Sequence, residues 1–321
     1  MTRASMLVFC GTFVWTNATP AGAVPPDSNT LIAKGLDEQR AGRYGEAFHT
    51  LANAWAMLGP EEREGRAAAA LLNHLGSALQ DLGKWDDAEL RYRQSIAALD
   101  RAANGGDLEM AYPLNNLATL LRAEGRAREA VVLSRRSLEL RQRFLAADDA
   151  SVLTGMANLG TALIAAGDRK GAQQLLERAL EGWRSHGKGD GPEAAPALNG
   201  LGLLNCAEGR YEKAAGYLAR AVAAWSATPA VNPVPLATAL ANLADLHVRS
   251  ADHTSADDEY RRAESLIETV SATHPLLGSI LRAHANERRK AHNARAALEL
   301  DAKAKAISGH TISVSALQSR R

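Results

Sequence analysis

Runs of leucine and alanine spaced three to four residues apart recur along this chain, each stopped by a glycine and followed after a few polar residues by another such run. That spacing predicts paired amphipathic helices joined by tight turns. The stretch LNNLATLLRAEGRAREA (114–130) has the whole form. Its counterparts are LNHLGSALQDLGKWDDA (72–88), MANLGTALIAAGDRKGA (156–172), LNGLGLLNCAEGRYEKA (198–214) and LANLADLHVRSADHTSA (240–256), so the period is 42 residues.

Four columns of small residues hold this register. The first is Gly35, Gly76, Ala118, Gly160, Gly202, Ala244 and Ala285, and the second marks the helix stop at Gly42, Gly83, Gly125, Gly167, Gly209, Ala251 and His292. The third is Ala47, Ala88, Ala130, Ala172, Ala214, Ala256 and Ala297, and the fourth Ala54, Ser95, Ser137, Ala179, Ala221, Ala263 and Ala304. Seven units result, 41 or 42 residues apart. A small residue in mid-helix, facing an alanine early in the next helix, lets two antiparallel helices cross closely. Glycine at the stop suits a left-handed turn. The fourth column lies deep in each second helix, where the next unit would stack. Gly, Pro and Asp clusters such as AANGGDLEMAYP (102–113), GKGDGPEAAP (187–196) and ATPAVNPVP (227–235) are the loops between units.

The L-G-x-A-L, glycine, alanine ladder resembles the tetratricopeptide repeat family. The 42-residue period, the NNLA and NLG openings and His274-Pro275 before the last first-helix resemble its kinesin light chain type. The resemblance covers residues 29–306 and implies an all-α, right-handed superhelical solenoid of about seven antiparallel helix pairs. Unit seven departs most, with His284 in place of the leucine at Leu75, Leu117, Leu159, Leu201 and Leu243, as a polar capping unit would.

Composition agrees with helix packed on helix: 46% of residues are apolar but only 5% aromatic. Lys plus Arg number 37 against 36 Asp plus Glu, and no basic stripe interleaves with aromatics, which argues against nucleic acid as a partner. Basic-looking runs such as RAREA (126–130) and SRRSLELRQR (134–143) fall on second helices, as an outer solvated face. Residues 1–23 have the layout of a secretory signal: Arg3, an apolar stretch from Met6 to Trp15, and a small-x-small ending at Ala21-Gly22-Ala23. The apolar run is too short for a membrane span, so export is expected, to a periplasmic or extracellular location, with the membrane met only in passage. Residues 24–28 would be a short linker and 307–321 a Ser-rich tail, either loose or folded back over the last unit. After cleavage Cys206 is the only cysteine, which excludes an intrachain disulfide and reads as a small packed hydrophobe.

Catalytic chemistry has no constellation to rest on. GKGDG (187–191) lacks the spaced glycines and Lys-Ser/Thr of a phosphate loop. The nine histidines show no H-x-x-x-H spacing, and Ser77 lies within a helix rather than on a strand-to-helix elbow. The expectation is a protein that is not an enzyme and needs no cofactor, metal or small-molecule substrate.

Function would then lie on the concave side, lined by the first helices. Helical spacing puts Tyr112, Asn115, Asn116, Thr119 and Arg122 on one stripe. Corresponding positions add His74, Ser77 and Gln80, then Asn158 and Thr161, Asn199 and Cys206, Asn242, Asp245 and Arg249, and finally Arg282 and Arg289. A carboxamide offers donors and an acceptor, so it can grip the amides of an extended peptide. The family resemblance implies that asparagines at the Asn116, Asn158 and Asn242 positions contact ligand backbone; equally, these amides can tie neighbouring units together. The row of central lysines with which some relatives hold a C-terminal carboxylate is missing, and Arg249, Arg282, Arg289 and Lys290 would attract an acidic segment instead. The reading is an exported scaffold for a protein or peptide partner. The rival is a solenoid that self-associates, or assembles an envelope complex, through its convex face.

Overall fold

The computed structural model describes residues 27–103, 108–227 and 232–307, all helix, turn or loop with no strand among them. The signal-like residues 1–23 and the tail beyond residue 307 lie outside the described residues. In chain order the helices are α1 (Ser28–Arg40), α2 (Tyr44–Met57), α3 (Arg66–Asp81), α4 (Trp85–Ala103), α5 (Ala111–Ala123), α6 (Ala127–Phe144) and α7 (Ala150–Ala166). They continue as α8 (Arg169–Ser185), α9 (Ala195–Ala207), α10 (Tyr211–Ser226), α11 (Val234–Arg249), α12 (His253–Glu268), α13 (Pro275–Lys290) and α14 (Ala294–Ala306). Each odd helix packs on the even helix that follows it, and each even helix on the next odd one. Successive odd helices also touch one another from α1 through α13, which makes them the inner, concave layer of the solenoid.

The glycine columns explain the close packing. A Cβ at Gly76 would sit 2.6 Å from the Tyr92 ring, at Gly160 2.7 Å from Leu176 and at Gly202 2.6 Å from Leu218. The partner of the small residue is thus mainly a large side chain one turn beyond the third-column alanine. That alanine contributes only its carbonyl, 3.4 Å away for Ala47 at Gly35 and 3.5 Å for Ala172 at Gly160. The two serines of the fourth column bond within their own pairs: Ser95 Oγ donates to Ala69 O and Ser137 Oγ to Ala111 O, both at 2.7 Å. These bonds return to the unit's own first helix.

All seven stop positions have positive φ, from +74° at Gly42 to +89° at Gly167, and the two non-glycines, Ala251 and His292, sit at +59°. A Cβ in this region costs roughly 1 kcal/mol. Ala251→Gly and His292→Gly are therefore each expected to raise stability by about 0.5–1 kcal/mol. Urea unfolding midpoints measure it, and a midpoint unchanged in both variants would count against strain at these turns.

The superhelix curves far enough for its ends to meet. Asn232, just before α11, donates from Nδ2 to Asp81 Oδ1 at the end of α3, 2.8 Å across 151 residues. Beside it the His274 ring meets Trp85 edge-on at 6.1 Å, and a Cβ at Gly83 would fall 2.5 Å from Pro275 Cδ. His274 Nδ1 accepts from the Leu276 N–H at 3.1 Å, capping α13, and burial holds the imidazole near pKa 4, against a hydrogen bond to the Gln80 backbone. The same His-Pro pair thus starts α13 and packs against the α3–α4 corner.

Candidate interaction groove

The asparagines of the inner layer bond to each other. Asn116 Nδ2 donates to Asn73 Oδ1 at 3.0 Å, Asn158 Nδ2 to Asn115 Oδ1 at 2.7 Å, and Asn242 Nδ2 to Asn199 Oδ1 at 3.0 Å. Of the two roles left open by the sequence, the structure therefore displays the one between units. Each pair is separated by 43 residues, one more than the period, because the donor of one odd helix reaches the column beside its own on the preceding odd helix. Asn242 Oδ1 is buried without a partner, while Asn115, Asn116 and Asn158 remain half-buried and keep further hydrogen-bonding capacity.

Two arginines stand apart. Arg122, half-buried on α5, has no hydrogen-bond or carboxylate partner among the described residues, and desolvation lowers its pKa. Arg141 on α6 is 4% exposed, its Nε and Nη1 lack partners, and its guanidinium lies 5.8 Å from the ring of exposed Tyr112. The Asp149 carboxylate offsets part of the Arg141 burial, whereas Arg122 has no such counter-charge; a desolvated cation of that kind is costly in a folded chain, and an incoming anion relieves it.

The other sequence-predicted residues divide between groove and seam. Gln80 accepts from the Tyr92 hydroxyl at 3.0 Å, and Asp245 accepts from Tyr260, so both are fastened to their own second helices. Arg289 is tied to Asp301 on α14 and to Asn286 at 2.6 Å, also along its own unit. Arg282 is half-buried and reaches Ser279 Oγ at 3.4 Å, whereas Arg249 is exposed. His74 is half-buried, and burial lowers its pKa. Cys206 is buried, and burial pushes its thiol up to about 11, which suits packing rather than nucleophilic attack.

Charge that sequence reasoning missed gathers between α12 and α13. His284 Nδ1 lies 2.7 Å from Glu264 and Nε2 2.8 Å from Asp257, with the Tyr260 ring stacked 5.2 Å away. Asp257, His284 and Glu287 bring possible metal-ligating atoms within 4.8 Å of one another. The Arg288 guanidinium enters the same space, contacting Asp257 directly and placing Nε 3.3 Å from Glu287 and 3.4 Å from His284 Nε2. The cluster carries its own cation and joins the last two units. Its one sequence signal is His284, polar in a column of leucines.

Comparison with known proteins bears on this architecture. A tetratricopeptide repeat family model matches residues 109–185 and 193–269, and a second matches residues 68–101, together more than half of the chain. The chain belongs to the tetratricopeptide repeat family. Among solved structures, the solenoid is similar to a Rap protein complexed with Competence and Sporulation Factor, with a TM-score of 0.64 at 14% identity over 87% of this chain and 74% of that one. It is also similar to the APC/C hetero-tetramer Cut9-Hcn1, at 0.58 and 16% over 92% of this chain and 49% of that one. TPR-like repeats of a Podosopora anserina putative kinesin light chain match at 0.46 and 20% over 60% of this chain and 92% of theirs. At such identities the likeness is one of tetratricopeptide fold. No curated protein matches the chain.

Proposed function

We propose that this tetratricopeptide protein is a non-catalytic scaffold that holds an extended protein or peptide segment along its concave groove. The observation that carries the reading is Arg122: a half-buried guanidinium without an acceptor, in the third of the stacked units, on the same helix as the half-buried amides of Asn115 and Asn116. An acidic side chain or chain end of the partner supplies the missing acceptor, while the amides take its backbone. The Rap protein crystallised with Competence and Sporulation Factor supports the idea that a solenoid of this shape accommodates a partner. Export to the periplasm or the extracellular space belongs to the same proposal and rests on the signal-like residues 1–23. N-terminal sequencing of the protein from the envelope or medium tests that part, and recovery with Met1 intact would oppose it.

Crosslinking in the native extract followed by mass spectrometry names the partner, whose purified segment is then titrated by calorimetry. Arg122→Ala is expected to weaken binding by about 1.5–3 kcal/mol, roughly ten- to a hundredfold, as for a hydrogen bond to a charged group. Arg128→Ala, at an exposed position on α6, is expected to leave affinity unchanged. Equal affinity for wild type and Arg122→Ala would remove the groove reading.

A second reading draws on the convex face, where Leu90 is 50% and Val132 67% exposed at equivalent places in neighbouring units. Self-association through this apolar spot would be lost in Leu90→Glu. Light scattering that finds a strict monomer in the wild type disposes of it.

A further inference from the structure

Where the ends of the superhelix meet, a cavity of about 420 Å³ opens between α1, α3 and the residue preceding α11. Its wall includes Gln39, Arg40, His74, Ser77, Asp81 and Asn232. His74, Ser77 and Asp81 lie on one stripe of α3, three and four residues apart. Asp81 is held by neutral donors only: Gln39 Nε2 reaches Oδ2 at 2.7 Å, and Asn232 Nδ2 reaches Oδ1 at 2.8 Å. Both donors are themselves placed, since Gln39 Nε2 also donates to Ser77 Oγ at 2.8 Å and Asn232 Oδ1 accepts the Val234 N–H at 2.9 Å. Arg40, the cation of this wall, turns to Asp37.

A carboxylate offers about four acceptor positions, and two are filled here. The remaining ones belong to a group drawn out of water without a counter-ion, at the edge of a space large enough for a few heavy atoms. Burial raises the Asp81 carboxyl to about 6 despite its two carboxamide donors. The Asp81 charge also adds to burial in raising the Tyr44 and Tyr92 hydroxyls, on α2 and α4. Burial likewise disfavours a positive charge on His74, whose pKa it lowers. The complement of such a wall is a compact cation with several N–H donors.

We propose that this cavity is a primary-ammonium site, in which Asp81 and Ser77 receive the free amino end of an extended peptide. The site rests on the groove reading only in taking a peptide as the bearer of the amine. Because its wall is shared by the first two units and the sixth, an occupant also bridges the ends of the superhelix, which no groove contact within one unit can do. The ammonium donates to Asp81 and to the Ser77 hydroxyl oxygen, with the Gln39 and Asn232 carboxamides holding the carboxylate in line.

The test uses the full chain with four probes: n-butylammonium chloride, tetra-alanine with a free amino end, N-acetyl-tetra-alanine and Nα-acetyl-lysine amide. Affinities come from calorimetry, and the side-chain amide signals of Gln39 and Asn232 report the place of binding by NMR. Butylammonium and free tetra-alanine are expected to move both signals. The free peptide should bind at least about tenfold more tightly than the acetylated one, an advantage that disappears in Asp81→Asn. Binding should weaken as pH falls below about 6, where Asp81 takes up a proton. Equal affinity for free and acetylated peptides overturns the site, and so does an amine affinity that is constant between pH 5 and 7 in the wild type. The pH profile needs no variant, so it decides the matter even if Asp81→Asn fails to fold. Nα-acetyl-lysine amide binding as tightly as free tetra-alanine overturns the assignment to a chain end. A partner segment held through Arg122 with no preference for a free amino end sinks this site and leaves the groove reading standing. Asp81-dependent butylammonium binding, in a chain whose partner ignores Arg122, does the reverse.

Discussion

Replacing Arg288 by alanine is expected to destabilise the C-terminal end of the solenoid by about 3–5 kcal/mol, the loss seen when one member of a buried ionic cluster is removed. The Arg288 side chain is only 16% exposed, and it stands among Asp257, Glu287 and His284. Glu287 is 1% exposed and neither of its oxygens has a hydrogen bond, so the Arg288 guanidinium, with Nε 3.3 Å away, is the cation that offsets its charge. Without the guanidinium, two carboxylates face each other across a space closed to water. A repeat protein is stabilised by its nearest-neighbour interfaces, so the loss should appear first between α12 and α13. Hydrogen exchange of α12 to α14 and urea unfolding measure it. Arg289→Ala is the control: its side chain is 47% exposed, and its loss should cost no more than about 1 kcal/mol. If the two variants unfold alike, the cluster does not depend on Arg288.

Gly76→Val should be the most damaging single change at a helix crossing, at roughly 3 kcal/mol, the upper part of the range for enlarging a packed residue. The first added carbon already falls 2.6 Å from Tyr92 Cε1 and 2.7 Å from Cδ1. That ring is 1% exposed, and its hydroxyl is engaged with Gln80, so it has nowhere to turn. The equivalent change at Ala118 should be milder, because Ser134 holds the place of Tyr92 in that unit. Thermal melting of Gly76→Val, Ala118→Val and the double variant Gly76→Val/Tyr92→Ser separates the causes. Failure of Tyr92→Ser to recover any of the loss would mean that the ring is not what limits the crossing.

The residues show why some features were legible in the sequence and others were not. The stop column is local chemistry: a helix that must turn within three residues needs positive φ, and glycine at five of seven places announces it. The asparagine columns were visible too, but their roles were not. A spacing of 42 marks equivalent positions, whereas a bond between units joins positions that are not equivalent, here 43 apart. Gln80 and Arg289 share a column with Arg122, yet the first two meet Tyr92 and Asp301 on their own second helices, and only Arg122 is left without a partner. The difference comes from what stands opposite on the next helix, which a stripe drawn on one helix cannot include.

By itself the sequence determined the repeat, its helix pairs and the turns between them. These depend on periodicity and on backbone preferences that act over a few residues. How far the superhelix curves follows from its packing in three dimensions, and with it the meeting of Asn232 with Asp81 and of His274-Pro275 with the α3–α4 corner. Curvature accumulates from small rotations at every interface, so residues 151 apart become neighbours without any local pattern to mark them.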